Sequence, residues 1–109
     1  MVFIIKNLTK HDKYVQKLYE QIKNSYDTID KHVSVDNTKR RMAEVDIIAK
    51  RGNVVDVYEV KCSYRIVKAK KQLKRIRQIL NLERKILNAE KMNLFFFCGA
   101  SSRLEEVVI

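Results

Sequence analysis

Apolar residues recur at spacings of three and four in two segments of the chain, and this pattern predicts two amphipathic helices. The first helix is predicted over about residues 10–25, where Thr9 with Asp12 three positions later is typical of an N-terminal capping box. The second helix is predicted over residues 65–90. The apolar positions that define the helices are Val15, Leu18, Ile22 and Tyr26 in the first, and Ile66, Ala69, Leu73, Ile76, Leu80 and Leu87 in the second.

Shorter apolar segments outside the helices predict strands, because they are rich in Val, Ile and Phe. The predicted strands cover residues 29–35, 42–50, 54–61, 93–98 and 103–109, with a short candidate at 2–6. The strand at 93–98 is apolar throughout most of its length, which is typical of a strand buried on both faces. Residues 36–41 are polar and basic and are expected to form a loop.

The order of these elements is helix, three strands, helix, strand (αβββαβ), which predicts an α/β fold with a mixed central sheet flanked by helices. A helix connects the strands at 54–61 and 93–98, so these two strands should be parallel. A length of 109 residues suits one domain, which we expect to cover residues 1–109.

The turn between the strands at 42–50 and 54–61 sets their register. Gly52-Asn53 predicts a two-residue type II′ turn, which would pair Arg51 with Val54. A loop formed by Arg51-Gly52 is the alternative, and it would shift the pairing by two positions. Both registers keep the same side chains on each face of the hairpin.

In the segments 44–48 and 57–61 of this hairpin, four charged residues interrupt the apolar pattern: Glu44, Asp46, Glu59 and Lys61. Side chains alternate between the two faces of a strand, so Glu44 and Asp46 should share one face, with Val45 and Ile47 on the other. In the register set by Gly52-Asn53, Asp46 lies opposite Glu59, and Glu44 lies opposite Lys61. All four charged side chains are therefore expected on one face.

Two carboxylates that face each other across an antiparallel pair repel one another. A divalent cation held by Asp46 and Glu59 would remove this repulsion, and carboxylate ligands favour Mg²⁺ or Mn²⁺. The alternative is an ionic cluster without a metal, in which Lys61 offsets part of the negative charge. Charges on inner strands are costly unless they serve a site, which favours the functional interpretation.

An acidic strand, a short turn and then Glu59-Val60-Lys61 resembles the PD-(D/E)XK superfamily of restriction-endonuclease-like nucleases. Asp46 stands for the Asp of the PD half, with Val45 in place of the Pro. The flanking residues look most like those of small archaeal Holliday junction resolvases and RecB-like nucleases. The resemblance covers roughly residues 10–98, and αβββαβ is also the core order of that family.

The resemblance implies a metal-dependent DNA endonuclease, with branched or junction DNA as a candidate substrate. Asp46, Glu59 and the carbonyl of Val60 would be the metal ligands, and Lys61 would orient or deprotonate the attacking water. Glu44 could supply a third carboxylate. The acidic residue that several relatives carry on the first helix has no clear match, because Glu20 is expected to face solvent and Asp12 also serves as a cap.

Composition adds a strong positive charge to this picture. The chain has 23 Lys and Arg against 13 Asp and Glu, a formal charge of +10, which favours a polyanionic partner such as DNA. There are two alternatives to DNA binding. The second helix could simply expose a basic face to solvent, or it could lie on a membrane surface as a basic amphipathic helix. The membrane alternative conflicts with the need for the apolar face of this helix in the core. The candidate nucleic-acid-binding residues are Lys39, Arg40, Arg41, Arg65, Lys68, Lys71, Gln72 and Arg75.

The remaining features favour an intracellular, cytoplasmic enzyme without a membrane segment or an organic cofactor. Cys62 and Cys98 are too few for a zinc site, although a disulfide between their neighbouring strands stays open. His11 and His32 have no ligand partners at an informative spacing, so we expect surface or capping groups. Cutting two strands requires two active sites, which favours a homodimer. A non-catalytic nucleic-acid-binding module on the same fold is the alternative function, and an RNA-directed nuclease is a third.

Overall fold

Two α-helices and five β-strands form the part of the chain that this computed structural model describes, which is residues 9–36, 42–82 and 89–109. The helices are α1 (Lys10–Ile22, followed by a 3-10 turn over Lys23–Ser25) and α2 (Ile66–Leu82), and the strands are β1 (Thr28–Asp36), β2 (Met42–Arg51), β3 (Val54–Lys61), β4 (Lys91–Cys98) and β5 (Arg103–Val107). The strand candidate at residues 2–6 and the basic loop residues 37–41 lie outside these ranges.

The strands form one mixed sheet in the order β1-β2-β3-β4-β5. Strands β3 and β4 are parallel and α2 connects them, whereas the other neighbours are antiparallel. The predicted α/β class, the mixed sheet and the parallel pair are therefore confirmed. Within the described residues, no helix is long and apolar enough to cross a membrane.

The sheet is covered on both faces. Helix α1 packs Val15, Leu18 and Ile22 on a cluster that includes Tyr58 and Val60 of β3. Helix α2 packs its own apolar face on the opposite side of β3, against Val55 and Val57 among others. In β4 the adjacent residues Phe96 and Phe97 are both fully buried, so the expectation of a strand buried on both faces is confirmed there.

Local hydrogen bonds accompany the start of α1 and the chain segment that follows α2. Thr9 caps α1: its side chain accepts from the N–H of Asp12, and the Asp12 side chain accepts from the N–H of Thr9, so the predicted capping box is confirmed. The prediction that the second helix reaches residue 90 is wrong, because Ala89 and Glu90 are not helical. The N–H of Glu90 instead donates to the carbonyl of Asn53 at 2.8 Å, which leads the chain into β4 beside β3.

The β2–β3 turn is formed by Gly52-Asn53, as the first of the two predicted registers requires. Five ladder pairs run from Arg51–Val54 to Ile47–Tyr58, which excludes the alternative loop. The backbone φ is +57° at Gly52 and is not positive at Asn53, as in a type II′ turn.

The prediction that Val45 and Ile47 share one face of the sheet is wrong. Val45 packs in the core under α2, whereas Ile47 packs in the core under α1. The alternation of side chains in β2 therefore shifts at Asp46, between these two residues. Asp46 lies at the position that the β1–β2 register would pair with His32, and this pair is missing from the ladder.

The conformation of His32 explains the shift. Its φ of +53° is left-handed, which is rare for a residue inside a strand and turns the chain. Strand β1 changes faces at the same level: Ile29 packs with the α1 core, whereas Val33 and Val35 pack with the α2 core. Both strands thus rotate together while their pairing register stays constant.

The two cysteines are free thiols. Cys98 is buried at the end of β4, and Cys62 follows the last residue of β3. A disulfide between them, which the sequence left open, is not present.

Gly99 has no room for a side chain, so changing it to alanine should destabilise the fold. A methyl group on Gly99 would collide with the ring of Tyr14 in α1, directly after the buried end of β4. We expect Gly99→Ala to lower the free energy of unfolding by about 2–3 kcal/mol, as overpacking of a well-packed site does. Denaturant unfolding measures this. The loss should shrink in a Tyr14→Ala background, and equal losses in both backgrounds would contradict the steric explanation.

Candidate functional site

The candidate site lies where the pairing of β2 with β3 stops. The last ladder pair is Ile47–Tyr58, so the expected direct pairs Asp46–Glu59 and Glu44–Lys61 are not part of the ladder. A side-chain hydrogen bond follows the end of the ladder: Oδ2 of Asp46 accepts the backbone N–H of Val60 at 2.8 Å. This bond holds a buried carboxylate against the backbone that separates Glu59 from Lys61.

Glu59 is the most deeply buried charged side chain of the site, at 1% exposure. Its Oε1 lies 3.1 Å from Nζ of Lys61. Its Oε2 is buried and has no hydrogen-bond partner. A buried carboxylate oxygen without a partner is costly, and either a bound proton or a cation would offset that cost.

The carboxyl groups of Asp46 and Glu59 influence each other electrostatically. Burial and, to a lesser extent, the charge of Asp46 raise the pKa of Glu59 to about 8, while Lys61 opposes the shift. Burial also raises the pKa of Asp46, against the lowering effects of the Val60 N–H and of His11. The two carboxyl groups therefore influence each other's ionisation just beyond the end of the β2–β3 ladder, and their joint hold on a metal ion stays a prediction.

Lys61 contacts one residue of the sheet and one residue of α2. Besides its contact with Glu59, its ammonium donates to Oε1 of Gln72 in α2 at 3.2 Å. The amide nitrogen of Gln72 lies 3.5 Å from the carbonyl of Glu44. Gln72, a candidate DNA-binding residue, thus also fixes the position of the lysine.

His11 is a member of the site that the sequence analysis missed. Its Nε2 lies 3.0 Å from the carbonyl oxygen of Val60 and 3.3 Å from Oδ2 of Asp46. The expectation of a surface or capping group is wrong for this residue. A signal was present: His11 precedes Val15 by four positions, so it extends the buried face of α1 by one turn.

The prediction that Glu44 shares one face with Lys61 is wrong, because Ala43 and Val45 on either side of it both pack in the core under α2, which directs the Glu44 side chain to the α1 side. Its side chain is 63% exposed, and its Oε1 lies 3.8 Å from Nδ1 of His32. Nε2 of His32 lies 3.8 Å from Oδ1 of Asp12, so His32 stands between two acidic groups at the surface. Glu20 is exposed and pairs with Lys23, in agreement with the expectation that it faces solvent.

A groove of about 590 Å³ opens directly beside Lys61. Three of the predicted DNA-binding cations, Lys68, Lys71 and Arg75, line it together with Gln72. Arg65 is exposed just before α2 and is not among the lining residues. Lys39, Arg40 and Arg41 lie outside the described residues.

The residues near Glu59 include oxygen donors that could serve as ligands to a hard divalent cation. Two carboxylates and the carbonyl of Val60 are the donors that Mg²⁺ and Mn²⁺ prefer, and Mg²⁺ normally keeps several waters as further ligands. Among residues 9–36, 42–82 and 89–109, no three or more His, Cys, Asp or Glu side chains are grouped so that they could hold a metal ion. Any ion here would therefore depend on Asp46, Glu59, a backbone oxygen and water.

The chemistry of the site must be inferred from its own residues. No protein-family model matches this chain, and no curated protein matches it either.

Proposed function

We propose that the protein is a metal-dependent deoxyribonuclease of the PD-(D/E)XK type, with a restriction-endonuclease-like core. The observation that carries this proposal is the unpartnered, buried Oε2 of Glu59, in a carboxylate that Asp46 influences electrostatically and that contacts the ammonium of Lys61 two residues later. The order αβββαβ and the mixed sheet support the same assignment. A buried acid pair in which both pKa values are raised, that of Glu59 to about 8, is also typical of reacting groups.

Asp46, Glu59 and the carbonyl of Val60 would hold Mg²⁺ or Mn²⁺. When bound, the ion supplies a nucleophilic water at neutral pH and neutralises charge on the attacked phosphate. The unpartnered oxygen of Glu59 fits this role, since binding would give it the cation that it lacks. His11 contacts Asp46 and the Val60 carbonyl, so it orients both groups.

Lys61 carries the positive charge closest to the reacting phosphate. Glu59 and Gln72 hold its ammonium from two sides, which fixes the position of that charge before the substrate arrives. A preorganised charge of this kind stabilises the negative charge that develops in the transition state. Lys61 also lines the basic groove, so the bound backbone and the reacting groups meet at this residue.

The basic face of the groove should account for most of the affinity for DNA. We expect the double variant Lys68→Gln/Lys71→Gln to weaken binding to all sequences and to reduce the slope of log K against log salt by about 0.7–0.9 for each charge removed. The matched control is Lys70→Gln/Lys74→Gln, which removes the same charge from exposed positions of α2 outside the groove lining. Fluorescence anisotropy at several salt concentrations measures the slopes. Equal slopes for the two variants would contradict a role for the groove.

The function itself is tested by incubating the protein with supercoiled, linear, single-stranded and four-way-junction DNA. We expect cleavage with Mn²⁺ or Mg²⁺ and none with a chelator. Labelled RNA of the same sequence tests whether the protein cleaves RNA as well as DNA. Absence of cleavage on every substrate would contradict the proposal.

The predicted homodimer is tested separately, by sedimentation of the protein with and without DNA.

A non-catalytic DNA-binding module is the second candidate. The observation that favours it is the lack of a group of three potential metal-ligating side chains among the described residues. Titration calorimetry separates the two candidates. A nuclease should bind Mn²⁺ in a way that Asp46→Asn or Glu59→Gln removes, whereas a binding module should show no heat that depends on these carboxylates.

A further inference from the structure

Exposed apolar side chains gather around β5, at one edge of the sheet. Among the described residues, the large apolar side chains that remain exposed are Tyr64, Val67, Leu104, Val108 and Ile109. Leu104 belongs to β5, and Val108 and Ile109 follow its last residue. Tyr64 contacts the same strand, because its hydroxyl donates to Oε2 of Glu105 at 2.8 Å. Exposed apolar side chains that lie together are typical of protein interfaces.

Strand β5 is an edge that can pair with a further strand. Within the described ranges its one neighbour is β4. None of the residues from Arg103 to Val107 has a positive φ that would interrupt the strand. The opposite edge, β1, carries the left-handed His32, and a distortion of this kind protects an edge from pairing with another chain.

The side chains of β5 divide between the two faces of the sheet. Arg103 and Glu105 form an ion pair at 2.6 Å, and both contact Tyr64. The ring of Tyr64 packs on Phe96 of the α2 core, so this charged pair lies on the α2 face. Leu104, between the two charged residues, therefore points to the α1 face.

This order of charges suits pairing with a second copy of the same strand. A two-fold axis between two antiparallel copies stands perpendicular to the sheet, so one residue lies opposite itself. An axis at Arg103, Glu105 or Glu106 sets like charges opposite each other, which is unfavourable. An axis at Leu104 instead sets the two leucines together and places each Arg103 opposite the partner's Glu105.

We propose that β5 pairs antiparallel with β5 of a second copy of this chain, centred on Leu104. Two ion pairs between Arg103 and the partner's Glu105 fix this register. The inference gives the predicted homodimer an interface, and it rests on the proposed function only in that a nuclease that cuts two strands needs two sites.

The proposed axis passes at the level of the candidate site. Leu104 lies opposite Phe97 in β4, and Phe97 lies opposite Val60 in β3. Two copies of β3 in the joined sheet are five strand spacings apart, a distance on the order of 20 Å. The dimer would therefore hold two active sites within reach of one nucleic-acid substrate.

The test is the oligomeric state of charge-reversal variants, measured by sedimentation velocity. The wild-type protein should be a dimer. Arg103→Glu and Glu105→Arg should each be monomeric, because each variant sets like charges opposite one another across the interface. An equimolar mixture of the two variants should restore the dimer, since the acidic strand of one then faces the basic strand of the other. This rescue also shows that both variants fold.

The matched control is Glu20→Arg, which reverses a charge at an exposed position of α1 and should leave the dimer intact. A wild-type protein that is monomeric at its highest soluble concentration would overturn the inference. A mixture that stays monomeric would overturn it too, as would single variants that remain dimers, because another surface would then hold the two copies. A dimer that cuts no DNA contradicts the nuclease alone, and a monomer that cuts DNA contradicts only this inference.

Discussion

Changing Glu59 to glutamine, or Lys61 to methionine, should lower the rate of DNA cleavage by about a thousandfold, because in the proposed mechanism Glu59 holds the metal ion and Lys61 stabilises the negative charge of the transition state. Glutamine fills the same buried volume as Glu59 but cannot carry the negative charge that a cation needs. Methionine keeps the apolar stem of Lys61 and removes its ammonium. Asp46→Asn should have an effect of similar size, since Asp46 is the other carboxylate proposed to hold the metal ion.

The measurement is the single-turnover rate on a labelled strand with Mn²⁺, together with the affinity for that strand. Affinity should change little, because Lys68, Lys71 and Arg75 of α2, which line the groove, remain in place. The matched controls are Glu106→Gln and Lys70→Met, which change exposed residues of the same types. Groups that act as one unit are strongly non-additive, so the Glu59→Gln/Lys61→Met double variant should be scarcely slower than either single variant. Wild-type rates in any of the three single variants would contradict the mechanism.

The outline of the fold follows from local sequence signals. The capping box of α1, the Gly52-Asn53 turn and the apolar run of β4 each have a direct local cause, and the structure agrees with each of them. The parallel pairing of β3 with β4 follows from the helix between them. These features depend on residues close together in the chain, which explains why the sequence is sufficient to predict them.

The position of individual side chains at the site does not follow from such signals. Strict alternation places Val45 and Ile47 on one face, but the left-handed conformation of His32 in the neighbouring strand shifts the alternation at Asp46. The two strands change faces at the same level, and no pattern within β2 alone reveals this. The separate ladder between β2 and β3 also ends next to Asp46, where the Asp46 carboxylate accepts the N–H of Val60.

His11 shows a second limit of sequence patterns. It lies 35 residues from Asp46 and 49 from Val60 along the chain, so its contacts arise only when α1 packs across the end of the hairpin. Its four-residue spacing from Val15 indicates the buried face of the helix but not the polar partners at its end. Lys61 with Gln72 is a comparable case, since only the packing of α2 brings the two residues together.

The metal-free protein should become less stable as the pH rises, and Glu59 should be the main cause. Burial raises the pKa of Glu59 from 4.5 to about 8, so between these values the native state holds a proton that the unfolded state has released. Raising the pH through this window therefore favours unfolding, by about 1 kcal/mol for each pH unit. Thermal unfolding in a chelator, followed by circular dichroism from pH 5 to pH 8, measures this slope.

Glu59→Gln should remove most of that slope and make the metal-free protein more stable at pH 8, by an amount on the order of 2 kcal/mol. Asp46 contributes in the same direction, since its pKa is also raised, so a smaller slope should remain. Glu106→Gln, at an exposed position, should leave the slope unchanged. Added Mn²⁺ should stabilise the wild-type protein most at high pH, because it binds the ionised native form, and it should have little effect on Glu59→Gln.

This experiment also separates the two physical explanations of the buried charges. If Glu59 served only an ionic cluster with Lys61, its replacement by glutamine would break a favourable pair and lower stability at every pH above 5. A carboxylate retained for a cation behaves in the opposite way, because it is costly until the cation binds. A variant that is more stable without metal, insensitive to Mn²⁺ and inactive on DNA would show that Glu59 lowers the stability of the fold to provide a ligand. A less stable variant would favour the ionic cluster and contradict the nuclease.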